Sequence, residues 1–453
     1  GLPPSLAPVA TMVGAAAVAA PPPGGGNQRV ETAEWTRAGS DGPLLDHLLA
    51  RGAPLLLKGA LLELTTWPAL RWTSASSPAN GAEVPPSLPG GLAAFEDQHG
   101  HRSIEVRFAR RPSASDVRAS TPWEGDCHYV DGVPLSQFCR WLRGEGPPGT
   151  ERGEDPLAAF PASEWWGYCA YQHFEELFPE AFPDETSVEQ EDEGGRPTPS
   201  PPPPPADFEE LLGRPFKAHG APTLWLGSAG ARTPCHRDAY GVNVVAQVAG
   251  VKRWLLFPPA DAKLLGETRL PFEDASTFMV RDLLAGNLPV GCRPFEATLE
   301  PMDVLFVPRH WVHAVECVSP WSLSINQWLD APGDAEERVH EGVARCLASP
   351  LLEGAPEAWW LNPGEELFDV EANAANLQAS LCAAAGLELS SGPRLPEVRA
   401  ALLRAATHPE VVAAIVERLS AELAPRLRAT KTSAAERERA RRSSRSRSRS
   451  RSV

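Results

Sequence analysis

The chain has 453 residues, of which 42% are apolar, so it can build a substantial core. Its 48 Pro and 37 Gly exceed ordinary globular usage and rule out a single 453-residue globule, because part of the chain must be linker or tail. The formal net charge is −16, but residues 437–453 hold eight Arg and one Glu, which leaves −23 on residues 1–436. Such an acidic body argues against broad nonspecific binding to phosphate backbones.

The eight cysteines are scattered without a C-x-x-C pair, which argues against a zinc ribbon or a redox pair and favours reduced thiols. No run of about eighteen apolar residues occurs, and the Ala-rich stretch at 9–20 lacks a basic leader. We therefore expect a protein of the cytoplasm or nucleus with no membrane partner.

The N-terminal third alternates low-complexity and patterned segments. Residues 1–30, with the run PPPGGG, are predicted to be disordered. Pro43–Leu49 has the spacing of a short amphipathic helix, and Ala53–Gly59 reads as a buried strand that ends in a turn. Ser103–Phe108 alternates like a strand, and Leu135–Leu142 has apolar residues at helical spacing.

The middle of the chain is predicted to be rich in strands. Residues 184–206 combine an acidic run with TPSPPPPPA and are predicted to be a disordered insertion inside a domain. Between Thr223 and Leu329 come several short β segments separated by Gly and Pro turns: TLWLG, VNVVAQV, RWLLF, DVLFVP and SLSINQWL. Many short strands with turn signals indicate a sandwich or barrel rather than a βαβ fold.

After Pro332 the pattern becomes helical, and residues 333–430 are predicted to form a helical region. Two apolar faces are predicted, one with Val339, Val343, Cys346 and Leu347 and the other with Val412, Val416, Leu419 and Leu423. We expect these helices to pack on the strand-rich domain or to form a homodimer.

Residues 431–453 form a disordered tail rich in Arg-Ser dipeptides. Phosphorylation of its serines would neutralise or reverse its positive charge. The expected partners of such a tail are SR-type proteins or RNA, and the alternative is a merely solubilising tail.

The segment most informative about chemistry is T-P-C-H-R-D at residues 233–238. In a strand, His236 and Asp238 point to the same side, so an imidazole and a carboxylate share one cavity. An H-x-D pair alone is weak support for a site. A second histidine from a distant strand, His313 in VPRHWVH, would complete the two-His-one-carboxylate set that binds Fe(II) and leaves open positions.

Four segments together resemble the JmjC family of Fe(II)- and 2-oxoglutarate-dependent oxygenases, in the family's order and spacing: LWLGSAGARTPCHRDAYGVN, GVKRWLLFPP, DVLFVPRHWVHAV and SINQW. The resemblance is strong over residues 160–330 and weaker over 32–142. It implies a mainly β fold, a double-stranded β-helix (cupin/JmjC jelly-roll), with N-terminal mixed α/β elements and a C-terminal helical region. The catalytic domain would span residues 31–332.

The resemblance also implies roles for single residues. His236, Asp238 and His313 match the metal ligands of the family, which are also its catalytic centre. Lys252 matches the lysine that pairs with the distal carboxylate of 2-oxoglutarate. His310 lies in the same VPRHWVH segment, but it occupies a position where the family pattern varies, so we do not expect it to be a ligand.

Further residues are expected to bind the cosubstrate. Thr233 matches a hydroxyl that assists the distal carboxylate, Asn243 and Asn326 match amides near the proximal end, and Tyr168 matches a pocket tyrosine. One departure from the family lies at Met302, where the usual residue is a glycine suited to a left-handed turn. Four apolar neighbours are expected to shield the site or to be core: Trp254, Phe306, Trp311 and Trp328.

The leading functional prediction is an enzyme that uses Fe(II), 2-oxoglutarate and O2 to hydroxylate a protein side chain. Within the family, the resemblance is strongest to a subgroup associated with small heat-shock proteins and more distant to the asparaginyl hydroxylases. The first alternative is therefore a non-catalytic adaptor that binds a small heat-shock protein, with the tail recruiting further partners. Histone demethylation and RNA hydroxylation are the remaining alternatives, and an inactive pseudoenzyme is not favoured because the predicted iron ligands and the lysine are all intact.

Overall fold

The structure is a computed structural model. It describes residues 27–34, 43–64, 66–72, 92–111, 127–145, 155–182, 201–273, 275–286, 288–292, 294–352 and 369–425. The chain divides into two compact units, one formed by residues 1–341 and 351–367 and the other by residues 342–350 and 368–453.

The secondary structure is given in chain order. The strands are β1 (Gln28–Arg29), β2 (Glu31–Glu34), β3 (Leu55–Lys58), β4 (Ser103–Arg110), β5 (His128–Pro134), β6 (Trp165–His173), β7 (Thr223–Ser228), β8 (Arg232–Asp238), β9 (Val242–Ala249), β10 (Lys252–Phe257), β11 (Glu267–Glu273), β12 (Ser276–Met279), β13 (Phe295–Leu299), β14 (Val304–Val307), β15 (Val312–Cys317) and β16 (Trp321–Leu329). The helices are α1 (Leu44–Arg51), α2 (Ala93–His99), α3 (Leu135–Leu142), α4 (Phe174–Leu177), α5 (Phe208–Leu212), α6 (Ala262–Leu265), α7 (Asp334–Leu352), α8 (Val370–Ala384) and α9 (Leu395–Ala406). Residues 409–425 are also helical.

Two mostly antiparallel sheets form the first unit. One has seven strands in the order β1-β13-β10-β15-β8-β12-β11, and the other has nine in the order β2-β3-β14-β9-β16-β7-β6-β4-β5. A cavity is lined from both sheets, by β8, β10 and β15 of the first and by β6, β7, β9 and β16 of the second. The predicted jelly-roll class, with mixed N-terminal elements and a helical C-terminal region, is confirmed.

Burial on both faces explains why the central strands read as continuous apolar runs rather than as alternating ones. Every residue of β9 is buried, and so is every residue of β7. The glycine in TLWLG has a packing role, because a Cβ on Gly227 would lie 2.8 Å from the ring of Tyr168. The absence of a side chain at Gly227 therefore leaves room for the Tyr168 ring, which lies against this glycine and lines the cavity.

The predicted elements correspond well to the observed ones. The helix expected at 43–49 is α1, the strand expected at 53–59 contains β3, and the helix expected at 135–142 is α3. The predictions for residues 1–26, for most of the insertion (184–200) and for the tail (431–453) lie outside the described residues. At the end of the predicted insertion the structure differs from the disordered segment expected, because Ala206 is buried and the Pro205 carbonyl accepts a hydrogen bond from the Ala69 amide.

The turn before β14 has the left-handed conformation that the family pattern implied. Met302 occupies it with φ of 74°, a conformation that glycine adopts at lower cost. The following residue, Asp303, is buried, and its hydrogen bonds stabilise the turn. Its carboxylate accepts hydrogen bonds from the Gly59 amide at 3.1 Å, the Glu300 amide at 2.9 Å and the Lys58 ammonium at 2.6 Å.

We expect Asp303→Asn to lower the free energy of unfolding by about 2 kcal/mol, because it leaves the partly buried Lys58 without its buried carboxylate. Chemical denaturation would measure the loss. Glu300→Gln is the matched control, since Glu300 is exposed and its ion pair with Lys58 should contribute less than about 0.5 kcal/mol. Equal losses in the two variants would contradict this account of the turn.

The second unit is helical. Gly342 lies against Leu377 of α8, where a Cβ would approach the leucine to 3.2 Å. The predicted apolar face on α7 is wrong at Leu347, which is 48% exposed, whereas Arg345 is buried. The apolar residues predicted to share a face within residues 409–425 are exposed to solvent.

Two findings bear on the expectations from composition. The eight cysteines all lie in the described residues, and none forms a disulfide. Among the described helices, none combines the length and the apolar content that a bilayer crossing requires.

Candidate metal centre

The predicted ligands meet on two neighbouring strands. His313 of β15 lies directly opposite His236 of β8 in the strand register, with ring centroids 4.3 Å apart. The Nε2 atom of His236 lies 3.6 Å from Oδ1 of Asp238. One donor atom from each of the three residues lies within 4.8 Å of the other two. The three side chains therefore lie close together, in an arrangement that suits a two-His-one-carboxylate metal site. His236 and His313 line the buried cavity, whereas Asp238 lines the groove beside it.

Backbone carbonyls orient both histidines. The Nδ1 atom of His236 lies 2.8 Å from the Pro234 carbonyl, and that of His313 lies 2.9 Å from the Trp311 carbonyl. Because a carbonyl only accepts, each Nδ1 must carry the proton and donate, which leaves the Nε2 lone pair free for a metal. Burial, followed by the neighbouring His313, lowers the pKa of His236 to about 4, so its imidazole is neutral near pH 7.

The predicted carboxylate ligand, Asp238, has an orienting partner of its own. The indole Nε1 of Trp328 donates to Oδ2 of Asp238 at 3.2 Å, so Oδ1 is the atom turned toward His236. The aromatic residues expected around the site divide into two groups. Trp254 and Trp328 line the cavity, whereas Phe306 and Trp311 belong to the core and do not line it. Trp254 also belongs to the same hydrophobic cluster as Trp311.

We expect Trp328→Phe to weaken metal binding by about tenfold, because loss of an orienting hydrogen bond leaves the Asp238 carboxylate free to rotate. Mn(II) titration followed by electron paramagnetic resonance would measure the change. Trp225→Phe is the matched control, since the Trp225 indole donates to Asn326 and not to a predicted ligand. A normal Mn(II) affinity in the Trp328 variant would exclude this role.

Lys252 lies at the other end of the cavity and is 1% exposed. Its ammonium donates to the Ser324 hydroxyl at 2.6 Å and to the Tyr168 hydroxyl at 3.3 Å. Among the described residues it has no carboxylate partner. A buried cation that bonds only to neutral groups is costly, and burial lowers its pKa to about 8.

The other predicted binding residues line the same cavity. Asn326 donates to the Asn243 side-chain oxygen at 2.8 Å and accepts from the Trp225 indole at 2.7 Å. Thr233 bonds to the hydroxyl of Tyr168, whose pKa burial raises, so that this hydroxyl remains protonated. The cavity is therefore lined by neutral polar groups around one cation.

The sequence reasoning did not identify Ser324 or Tyr171, which also line the cavity. Ser324 could have been found, because it lies two residues before Asn326 in β16 and so faces the same side. Tyr171 gave no such signal, since it adopts a positive φ of 55° at an irregularity of β6 that no residue pattern marks.

A buried indole nitrogen marks one wall of this cavity. Trp254 stacks on His313, with the rings 5.6 Å apart and inclined by 26°. Its Nε1 atom is buried and has no hydrogen-bond partner in the described part of the chain. Such unsatisfied donors are rare in native proteins and indicate a missing acceptor.

Two other histidines lie outside the metal centre. His310 does not join the cluster, as expected, because its Nε2 lies 2.8 Å from the Ala239 carbonyl. His219 gathers with Asp330 and Asp334 at distances that a metal could bridge. Cations already neutralise these carboxylates, however, so the cluster is better described as an ion-pair network. The pairs are Lys217 and Arg338 with Asp330, and Arg309 with Asp334.

Comparison with known proteins supports the cupin-type fold. Residues 134–335 match a family model described as a cupin-like domain. HSPB1-associated protein 1 of Rattus norvegicus is 37% identical over 288 residues, which cover 62% of this chain and 54% of the rat protein. The HSPB1-associated protein 1 homolog of Danio rerio is 31% identical over 339 residues, or 72% of this chain and 65% of that protein.

A more distant relative is named as an oxygenase. The Danio rerio protein called 2-oxoglutarate and iron-dependent oxygenase JMJD4 is 29% identical over 111 residues, which cover 24% of this chain and 26% of that protein. The chain spans about half to two thirds of the length of the two HSPB1-associated relatives above.

Proposed function

We propose that this chain, which carries a cupin-like domain of the JmjC type, is an Fe(II)- and 2-oxoglutarate-dependent oxygenase that hydroxylates a protein side chain. The observation that carries the proposal is the buried Lys252 ammonium, which shares a cavity with His236 and His313. Asp238 completes the cluster with these two histidines, with donor atoms within 4.8 Å of one another. A cation at one end and a metal-binding set at the other match the two ends of a 2-oxoglutarate molecule.

The residues present fit both groups. Two imidazoles and one carboxylate are the donor set that suits a ferrous ion with open positions. At the far end, the Lys252 ammonium would gain the anionic partner that the described residues do not supply. The unsatisfied indole N–H of Trp254 is a further donor in the wall of the same cavity.

Each group of residues would then have a separate task. His236, Asp238 and His313 would hold the metal, and Lys252, Tyr168 and Thr233 would hold the distal carboxylate. When bound, Fe(II) and 2-oxoglutarate supply the chemistry that couples reduction of O2 and decarboxylation to succinate with hydroxylation of a C–H bond.

The protein's own contribution is orientation and exclusion of water. The Asn243–Asn326 hydrogen bond, buttressed by the Trp225 indole, fixes the polar wall between the two ends of the cavity. Apolar side chains of Val245, Val315 and Trp254 complete the lining and keep it poor in solvent.

Succinate release tests the proposal. Purified protein supplied with Fe(II), 2-oxoglutarate and O2 should form succinate, and the His236→Ala/Asp238→Ala double variant should not. Formation of succinate should also stop when Fe(II) is replaced by a redox-inert divalent ion. No succinate above the metal-free blank across protein, peptide and RNA substrates, despite bound iron and cosubstrate, would contradict the proposal.

A second candidate is a non-catalytic adaptor for a small heat-shock protein, and the printed names of the relatives favour it. In that case the Arg-Ser tail would recruit further partners. Pull-down of HSPB1 by the His236→Ala/Asp238→Ala variant at wild-type yield would support the adaptor. Capture that requires 2-oxoglutarate would instead indicate that the small heat-shock protein is a substrate.

A further inference from the structure

An open groove of about 710 Å³ adjoins the metal centre. Three aromatic residues, Tyr168, Tyr171 and Trp328, line both this groove and the buried cavity, and Asp238 lines the groove. A substrate chain lying in the groove would therefore reach the metal-binding side chains. The inference that follows rests on the proposed function, because a chain bound in this groove is a substrate only if the metal centre is active.

Carboxylates dominate the wall of the groove away from the metal. Glu105 of β4, Asp131 of β5 and Glu176 of α4 all line it. Among its described lining residues the one Arg or Lys is Arg107, and this guanidinium is already engaged. It donates to the Arg232 carbonyl at 2.6 Å and lies over the rings of Trp166 and Tyr168.

The two histidines of the groove are also engaged. His173 contacts the Thr223 hydroxyl at 3.1 Å, and His219 lies 2.6 Å from Asp330 in the ion-pair network. Neither imidazole offsets the three carboxylates of the wall. The groove is consequently acidic toward a ligand.

Two of these carboxyl groups lie against each other across the β4–β5 hairpin. Glu105 and Asp131 share a hydrogen bond, and burial together with Asp131 raises the pKa of Glu105 to about 7, although Arg107 opposes the shift. Two acidic groups this close repel each other when both are ionised. A cationic side chain placed between them would relieve that repulsion and displace the shared proton.

A further polar residue of the groove lies beside the predicted ligand Asp238. Ser276 is only 5% exposed, lies opposite Asp238 in the strand register and lines the groove. A serine hydroxyl in the wall of a groove can donate to a carbonyl of a ligand or accept from an amide.

We propose that the groove binds a polypeptide segment bearing lysine or arginine, with Glu105 and Asp131 pairing with its cation and Ser276 bonding to its backbone. The acidic wall repels phosphate backbones, so RNA is the disfavoured occupant. The site of hydroxylation would then lie on the same segment, within reach of the metal centre.

A peptide selection tests the proposal. Full-length protein loaded with Fe(II) and 2-oxoglutarate without O2 is offered a random pool of short peptides, and the composition of the bound pool is determined. The wild-type protein should enrich Lys and Arg. The Glu105→Gln/Asp131→Asn variant should lose that enrichment and bind a selected cationic peptide about tenfold more weakly.

The matched control is Asp97→Asn/Glu209→Gln, which makes the same change of charge at two exposed positions outside the groove. Its selectivity should equal that of the wild type. Ser276→Ala gives a second readout, and we expect weaker binding of the selected peptide without a change in its preferred charge. Unchanged enrichment in the Glu105/Asp131 variant, or no enrichment in the wild type, would overturn the proposal.

An RNA arm addresses the competing class of ligand. A single-stranded RNA pool is added to the same samples, and only binding that responds to the Glu105/Asp131 substitutions is ascribed to the groove. RNA held there by the wild type would overturn the proposal. Binding of 2-oxoglutarate is measured on each sample. Normal 2-oxoglutarate binding without selectivity for cationic peptides would contradict this inference alone. Absence of 2-oxoglutarate binding by the wild type would contradict the proposed function.

Discussion

Replacing Lys252 by Met should weaken 2-oxoglutarate binding by about 100-fold or more and should at the same time stabilise the free protein. Both effects have one cause. The Lys252 ammonium is fully buried with only neutral hydrogen-bond partners among the described residues, so it costs stability without the cosubstrate and supplies the anchoring charge with it. Calorimetric titration with 2-oxoglutarate and thermal unfolding of the free protein would measure the two effects.

The neighbouring residue supplies the control. Arg253 follows Lys252 in the same strand but faces the other side, and its side chain is 34% exposed. Arg253→Met should keep the wild-type affinity for 2-oxoglutarate. A Lys252→Met protein that binds 2-oxoglutarate within about threefold of the wild type would show that the lysine is not the anchor.

Lys252 should make both the stability of the free protein and its affinity for 2-oxoglutarate depend on pH, in opposite directions. Burial lowers the pKa of Lys252 from 10.5 in the unfolded chain to about 8 in the folded one. Between these values the unfolded state binds the additional proton, so the contribution of Lys252 to stability should rise with pH across that window. Affinity for 2-oxoglutarate should fall as the pH rises above about 8, because the free protein loses the anchoring charge. Lys252→Met should remove both trends.

The second large effect is expected at the metal centre. His236→Ala should lower the affinity for Fe(II) or Mn(II) by about 100-fold or more, because it removes one of three ligands and leaves an incomplete set. Metal titration on protein shown to be folded by circular dichroism would measure the loss. The matched variant is His310→Asn, because His310 lies outside the cluster and adopts φ of 67°, which asparagine tolerates. Equal losses in the two variants would contradict the assignment.

Part of the candidate metal centre could be predicted because its signal is local. The two-residue repeat of a strand places His236 and Asp238 on one side. His313 lies on a distant strand, and its pairing with His236 is implied by the order of the family's segments rather than by local spacing. The left-handed turn at Met302 was visible for the same reason, since it departs from an expected glycine. These features depend on backbone geometry more than on distant packing.

The features that escaped prediction depend on packing between distant segments. The groove wall arises because the hairpin carrying Glu105 and Asp131 continues the sheet of β6, and no residue pattern reports that adjacency. Similarly, α7 buries Arg345 and exposes Leu347, although amphipathic spacing predicts Leu347 on the apolar face. In both cases, contacts between segments distant in sequence determine which residues are buried or brought together.

The central claim is that one cavity holds a metal and 2-oxoglutarate together, and an anaerobic calorimetric titration tests it most directly. Wild-type protein loaded with Fe(II) should bind one equivalent of 2-oxoglutarate, more tightly than the metal-free protein, and the Lys252→Met and His236→Ala variants should each lose this binding. Absence of 2-oxoglutarate binding to the iron-loaded wild type, or binding that neither variant weakens, would contradict the account.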